Sequence, residues 1–190
     1  LRLLLNATIY TTSKLHNTLK SVGFRIGKAT LQNYITYLET AYFLYSVPYF
    51  SYSVKDQLQY PRKVYIVDNA FLSALSTQFS KNRGRLYENL VCVELVRRFS
   101  KENIFYWKDY SGREVDFLVK QNEKITLLIN VCYDIDDRET MEREITSLKK
   151  AMEQFKIKQG IIITGEQVHE EYTPDKKIRF IPLWRWLLNL

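Results

Sequence analysis

In the stretch GREVDFLVKQNEKITLLINVCYD, Gly112 to Asp134, two acids, Glu114 and Asp116, are set into a run with strand alternation. Residues two apart on a strand share a face. Glu114, Asp116, Leu118 and Lys120 therefore take one side, and Val115, Phe117 and Val119 the other. Upstream, Glu88 falls on a helical wheel between Leu95 and Phe99 and close to Cys92, inside an apolar arc. A carboxylate buried there requires a cation, a metal ion or hydrogen-bond donors, or else is protonated, because leaving the charge unpaired costs several kcal/mol. The chemistry open to such acids is coordination of a metal ion through oxygen. The plainer readings are an ion pair between Glu88 and an Arg or Lys of the same domain, and an outer strand showing Glu114 and Asp116 to water.

Other chemistries lack material. The only imidazoles are His16 and His169, and the only thiols, Cys92 and Cys132, lie far apart in apolar runs. Neither a zinc cluster nor a disulfide framework is encoded, a His-rich metal site or a Ser-His-Asp triad has almost no material to build from, and a reducing, cytoplasmic interior fits best. The segment GFRIGKAT, Gly23 to Thr30, invites comparison with a phosphate-cradling loop. It has three residues between its glycines and Ala29 after Lys28, and it follows a helix, so it reads as a turn between helices.

The elements that would position the acids are legible beyond a boundary near SKNRGR, Ser80 to Arg85. A helix from Arg85 to Phe99 precedes three strands, NIFYWK, REVDFLVK and KITLLINVCYD. A long helix follows from Asp137 to about Phe155, with Met141, Ile145, Leu148, Met152 and Phe155 in one stripe and Asp136 with Glu139 as a capping box. Strands GIIIT and KIRFIPL and the segment WRWLLNL close the chain. Residues 81–190 are thus expected to form an α/β domain with a mixed sheet.

Residues 1–80 read as a separate domain, making the whole chain α+β. Three short helices are expected: LRLLLNATIY; TTSKLHNTLKSVG, capped by Thr12 or Ser13, with Leu15, Leu19 and Val22 on one face and Gly23 as stop; and KATLQNYITYLETA, with Leu31, Ile35, Leu38 and Tyr42 as a stripe. YFLYSVPYFSYSV and RKVYIVD then form a hairpin around the long loop KDQLQYP. Three helices followed by a hairpin is the order of a winged helix, whose third helix would present Lys28, Gln32, Asn33, Thr36 and Tyr37 outward.

Charge follows the same division. The net +7 is uneven: residues 1–80 hold eight Lys/Arg against three Asp/Glu, and no acid precedes Glu39, whereas Arg2, Lys14, Lys20, Arg25 and Lys28 do. Such a field attracts phosphate backbones, and it is equally a solvated basic surface; nucleic acid is the expected partner, DNA ahead of RNA. The nucleic-acid-binding candidates are Lys14, Lys20, Arg25, Lys28, Gln32, Asn33 and Thr36. Eight Tyr between Tyr34 and Tyr65 either pack in the hairpin or mate with another protein surface. The charge-free run Thr40 to Val54 is too short to span a bilayer and contains Pro48, so no membrane partner is expected. The chain opens on Leu1 inside a helical pattern, which points to a fragment of a longer protein.

The order of a helix with an inward Glu, then three strands with an Asp on the second, then a helix, resembles the core of the PD-(D/E)xK nucleases, the restriction-endonuclease-like fold. More closely, GRLYENLVCVELVRR, FYWKDYSGREVDFLV, INVCYDIDDRET and IPLWRWLL resemble the C-terminal region of a prokaryotic family of AAA+-type ATPases, in which a P-loop ATPase domain precedes a winged helix and a degenerate nuclease-like domain. The resemblance implies an N-terminal ATPase domain, with its ATP, outside this chain. It makes Glu88 the helix acid and Asp116 the strand acid, both candidate Mg²⁺ ligands, with Glu114 beside them. The (D/E)xK element falls on INVCYD, where Asn130 takes the carboxylate position and Cys132 the lysine position. In that chemistry carboxylates hold Mg²⁺ against the phosphate and lysine orients the attacking water, so both losses imply a crippled or repurposed site: a negative pocket without its usual cation. Loss of such a group commonly lowers a rate by roughly 10²- to 10³-fold. A rebuilt nuclease would draw on Glu114 and Asp134 for oxygens and on Lys149 or Lys150 for the cation. Lys120, four residues past Asp116 and roughly 13 Å along a strand, is too distant.

Overall fold

The computed structural model describes residues 2–75, 83–173 and 176–189. They form two compact units, Leu1–Asn82 and Arg83–Leu190. The SKNRGR segment begins outside the described residues, and its Arg83 already belongs to a helix.

The first unit runs α1 (Arg2–Asn6), β1 (Ile9–Tyr10), α2 (Thr12–Ser21), α3 (Lys28–Thr40), β2 (Leu44–Val47), α4 (Val54–Gln59), β3 (Arg62–Ile66) and α5 (Asn69–Leu75). Its antiparallel sheet has the order β1-β3-β2, with Tyr10 opposite Arg62 and Tyr45 opposite Tyr65. The segment expected as one N-terminal helix breaks after Asn6, and its Ile9–Tyr10 end joins the sheet instead. The cap of α2 is Thr11 rather than Thr12 or Ser13, its hydroxyl accepting from the Lys14 amide at 3.1 Å. Leu15, Leu31 and Ile35 are buried, but Val22 and Tyr42, expected on the same stripes, are 61% and 72% exposed. Both lie past the ends of their helices, and Tyr42 has a φ of +55°, which turns the chain away. The hairpin loop holds a short helix that the sequence pattern hid, α4, capped by Ser53 accepting from the Asp56 amide.

The second unit runs α6 (Arg83–Phe99), β4 (Ile104–Lys108), β5 (Glu114–Gln121), β6 (Lys124–Val131), α7 (Arg138–Gln154), β7 (Gln159–Thr164), β8 (His169–Thr173), β9 (Lys176–Pro182) and α8 (Leu183–Leu187). Its six-stranded mixed sheet has the order β4-β5-β6-β7-β9-β8; β4, β5 and β6 form an antiparallel meander, and β6, β7 and β9 are parallel. Strand β8, antiparallel at the edge, was not expected. The helix cap is Asp137, accepting from the Thr140 amide at 2.9 Å, one residue later than the expected capping box. Helix α7 packs on β5, β6 and β7. The approach is close at Gly160, where a Cβ would stand 2.7 Å from Leu148 Cδ2 and 3.0 Å from Met152 Sδ. Strand β5 is covered on both faces, with Val115, Phe117, Leu118 and Val119 all buried. Its acids therefore do not sit on a water-facing outer strand.

Among the described residues no helix is long and apolar enough to cross a membrane.

Candidate functional site

The β5–β6 ladder closes at Phe117↔Ile129. Past that pair β6 continues beside β7 through Asn130 and Val131, and side chains take over the bonding between β5 and β6. The Asp116 amide donates to Asn130 Oδ1 at 3.3 Å, and the Val131 amide donates to Asp116 Oδ2 at 2.9 Å. A cleft of about 480 Å³ lies here, lined by Glu88 from α6, Glu114 and Asp116 from β5, Arg113 from the preceding turn, and Arg143 and Glu144 from α7. Glu88, Glu114 and Asp116 are thus brought together, all of them partly exposed at the cleft wall.

The residues at the expected third element have another occupation. Asn130 is fully buried. Its Nδ2 donates to Glu144 Oε2 at 2.7 Å, so one amide side chain links the strand acid's backbone to a carboxylate on α7. The other Glu144 oxygen accepts from Arg143 at 3.0 Å, and this pairing holds the Arg143 guanidinium above its ordinary value. Cys132 is buried, with Sγ donating to the Asp134 carbonyl at 3.1 Å. Burial first, and then the negative field of Glu144, pushes its thiol up to about 11, so at neutral pH it carries no charge.

The cleft has its own cations. Arg113 and Arg143 line it, so the cleft is not purely acidic, although Cys132 stands where the expected pattern would carry its lysine. The lysines considered as replacements are used elsewhere: Lys149 pairs with Glu171, Lys150 stands 3.5 Å from Asp109, and Lys120 pairs with Glu123 at 2.7 Å. Glu114 is paired with Lys108 at 3.3 Å, and Asp134 is exposed, with Oδ1 accepting from the Asp136 amide. The proposed convergence of Glu114 and Asp134 oxygens is therefore not formed. Magnesium demands near-octahedral oxygen coordination. Among the described residues no group of three or more His, Cys, Asp or Glu is placed to hold a metal ion. As arranged here, with Asp116 Oδ2 accepting from a backbone amide and Glu144 from Asn130 and Arg143, the described acids do not converge as a three-carboxylate set for Mg²⁺.

Sequence reasoning missed Glu144 and Arg143. A signal existed: Glu144 lies four residues before Leu148 and seven before Ala151, both fully buried, so it borders a wider stripe than the one counted.

In the first unit Lys14, Lys20, Arg25, Lys28, Gln32, Asn33 and Thr36 are all exposed. Two of them face α2: Gln32 Oε1 accepts from Thr12 Oγ1 at 2.8 Å, and Lys28 Nζ donates to Ser13 Oγ at 3.3 Å. Thr36 returns its hydroxyl to the Gln32 carbonyl. Asn33 and Tyr37 are exposed on the same helix.

Residues 83–186 match a family described as a domain of unknown function (DUF4143), and residues 2–82 match a second, also described as a domain of unknown function (DUF8612). The first match covers more than half of the chain, and the chain belongs to that family. A relative, the uncharacterized protein MJ1544 of Methanocaldococcus jannaschii, is 37% identical over 184 residues, covering 93% of this chain and 40% of the relative. The chain thus spans about 40% of the length of that curated relative. Among solved structures, a chain of a Thermococcus gammatolerans assembly of McrB AAA+ hexamers with bound McrC is similar over 56% of this chain and 33% of its own, at 11% identity and a TM-score of 0.39. That score is too low to carry an argument.

Proposed function

We propose that this chain is a nucleic-acid-associated module of an AAA+-type ATP-binding protein, in which a winged helix docks on DNA and a PD-(D/E)xK-like domain serves as a binding surface without cleaving. The observation that carries the reading is the buried Asn130 bridge. Where the nuclease pattern requires an acid, a neutral amide ties Asp116 to Glu144, and where it requires a lysine there is a neutral thiol. An acid at position 130 would meet the Glu144 carboxylate within hydrogen-bond distance, so the two arrangements exclude one another. Support for the fold comes from the helix, three-strand meander, helix and parallel strand of the second unit, and from the helix order and three-stranded sheet of the first.

The test is incubation of the protein with single-stranded and supercoiled DNA in Mg²⁺ or Mn²⁺, beside fluorescence anisotropy across a salt series. Binding is expected to weaken steeply with salt, by about one unit of log–log slope per phosphate contact. No cleavage above that of Asp116→Ala is expected. Metal-dependent cleavage that disappears in Asp116→Ala would instead establish the chain as a working nuclease.

A further inference from the structure

The turn between α2 and α3 carries a largely exposed aromatic residue, Phe24, on a backbone that is hydrogen-bonded on both sides. Helix α2 ends with two backbone bonds, Gly23 N–H to the Lys20 carbonyl at 3.1 Å and Phe24 N–H to the Leu19 carbonyl at 3.0 Å, with Gly23 at φ +92°. This is the Schellman arrangement, in which an apolar residue at the Phe24 position usually folds back on the last turn of the helix. Leu19 is half-buried, and Phe24 is 58% exposed. Two residues on, His16 Nε2 donates to the Ile26 carbonyl at 3.0 Å, so the backbone is fixed on both sides of the ring. Lys20, Arg25 and Lys28, within four residues of it in the sequence, are exposed, and no acid precedes Glu39 in the chain.

An exposed ring on a backbone-fixed turn whose sequence neighbours are exposed cations is the chemistry of a stacking platform for an unpaired base: the ring meets a π-face while the cations meet the backbone phosphates. We infer that the α2–α3 turn binds unpaired nucleic acid, with a base stacked on Phe24 and the flanking phosphates met by Lys20, Arg25 and Lys28. The inference rests on the nucleic-acid reading above and adds the class of substrate: single strands or forks in preference to intact duplex. The ordering cost is low, because the ring's backbone is already set before binding.

The experiment uses fluorescence anisotropy with a labelled single strand, a fork and a blunt duplex of the same sequence. Wild type is expected to prefer the single strand and fork. Phe24→Ala should lose roughly tenfold on the single strand and little on the duplex. Phe24→Trp should retain the preference, its added emission being quenched on binding. An unchanged melting curve for Phe24→Ala checks that the exposed site has not disturbed the fold. Salt-sensitive binding that favours duplex, or is indifferent to Phe24, overturns the inference and leaves the nucleic-acid reading standing. No binding of any form at low salt overturns both.

Discussion

Replacing Asn130 by Asp supplies the acid that the proposed nuclease-like pattern would carry and puts it in direct conflict with Glu144. In the wild-type protein the Asn130 amide donates across 2.7 Å in a fully buried position. A carboxylate there has no proton to donate, and two unit charges about 4 Å apart repel by about 4 kcal/mol at an effective dielectric of about 20. That is a large share of a typical stability of about 5–15 kcal/mol. Repulsion raises the folded-state pKa of the introduced carboxyl above its unfolded value of about 3.9. A raised pKa gives stability that is present below the unfolded value and is lost as pH rises through the folded one. Urea denaturation of N130D should therefore approach wild type near pH 4 and fall about 4 kcal/mol below it by pH 8. Removing the second charge, in N130D with Glu144→Gln, should recover most of the loss, because a neutral amide can again donate across the pair. If N130D matched wild type at pH 8, or the gap did not depend on pH, the bridge would not exist as described.

Three further outcomes follow from the packing. Arg98 lies 4.4 Å over the Trp186 ring and donates to the Trp186 and Leu187 carbonyls while paired with Glu94, so Arg98→Ala should cost about 2–3 kcal/mol in chemical denaturation, with Arg98→Lys recovering only part. Gly160→Ala should cost about 1–3 kcal/mol and lower the melting temperature, since the new methyl meets Leu148 and Met152 at the α7–β7 contact. Glu94 is held below its ordinary value of 4.5, chiefly by its hydrogen bond from Arg97 and also by Arg98, so its contribution is present above that value and fades as pH falls through the lowered one. Glu94→Gln should be less stable than wild type at pH 7 and indistinguishable from it in strong acid, as measured by denaturation across pH.

The elements that bury a strong stripe or alternation were legible from the chain. Helix α7 and strands β4, β5, β6, β7 and β9 lie where their apolar periods put them, because period and burial there agree. Strand β8, HEEYT, was missed because it is a polar edge strand held by pairing with β9, and its residues carry no apolar alternation. Helix α4 was missed because its Val54 and Leu58 are exposed, so no buried stripe marks it. At the site, spacing alone gave the face of α6 and of β5 on which each carboxylate lies, while the expectation that Glu88 meets Asp116 came from the family resemblance. The partner of Asn130 could not, because an amide's hydrogen-bond partner depends on where α7 crosses β6. The two arginines were hidden for a related reason: Arg113 belongs to a turn, and Arg143 is exposed on its helix, so neither leaves a burial signature.

The proposed non-cleaving reading requires that the cleft lined by Glu88, Glu114 and Asp116 bind no divalent ion. Calorimetric titration of Mn²⁺ into the protein measures this directly, with Asp116→Ala as the reference. The account predicts identical, featureless titrations for the two proteins. A saturable heat in the wild-type protein that is absent from Asp116→Ala would contradict it.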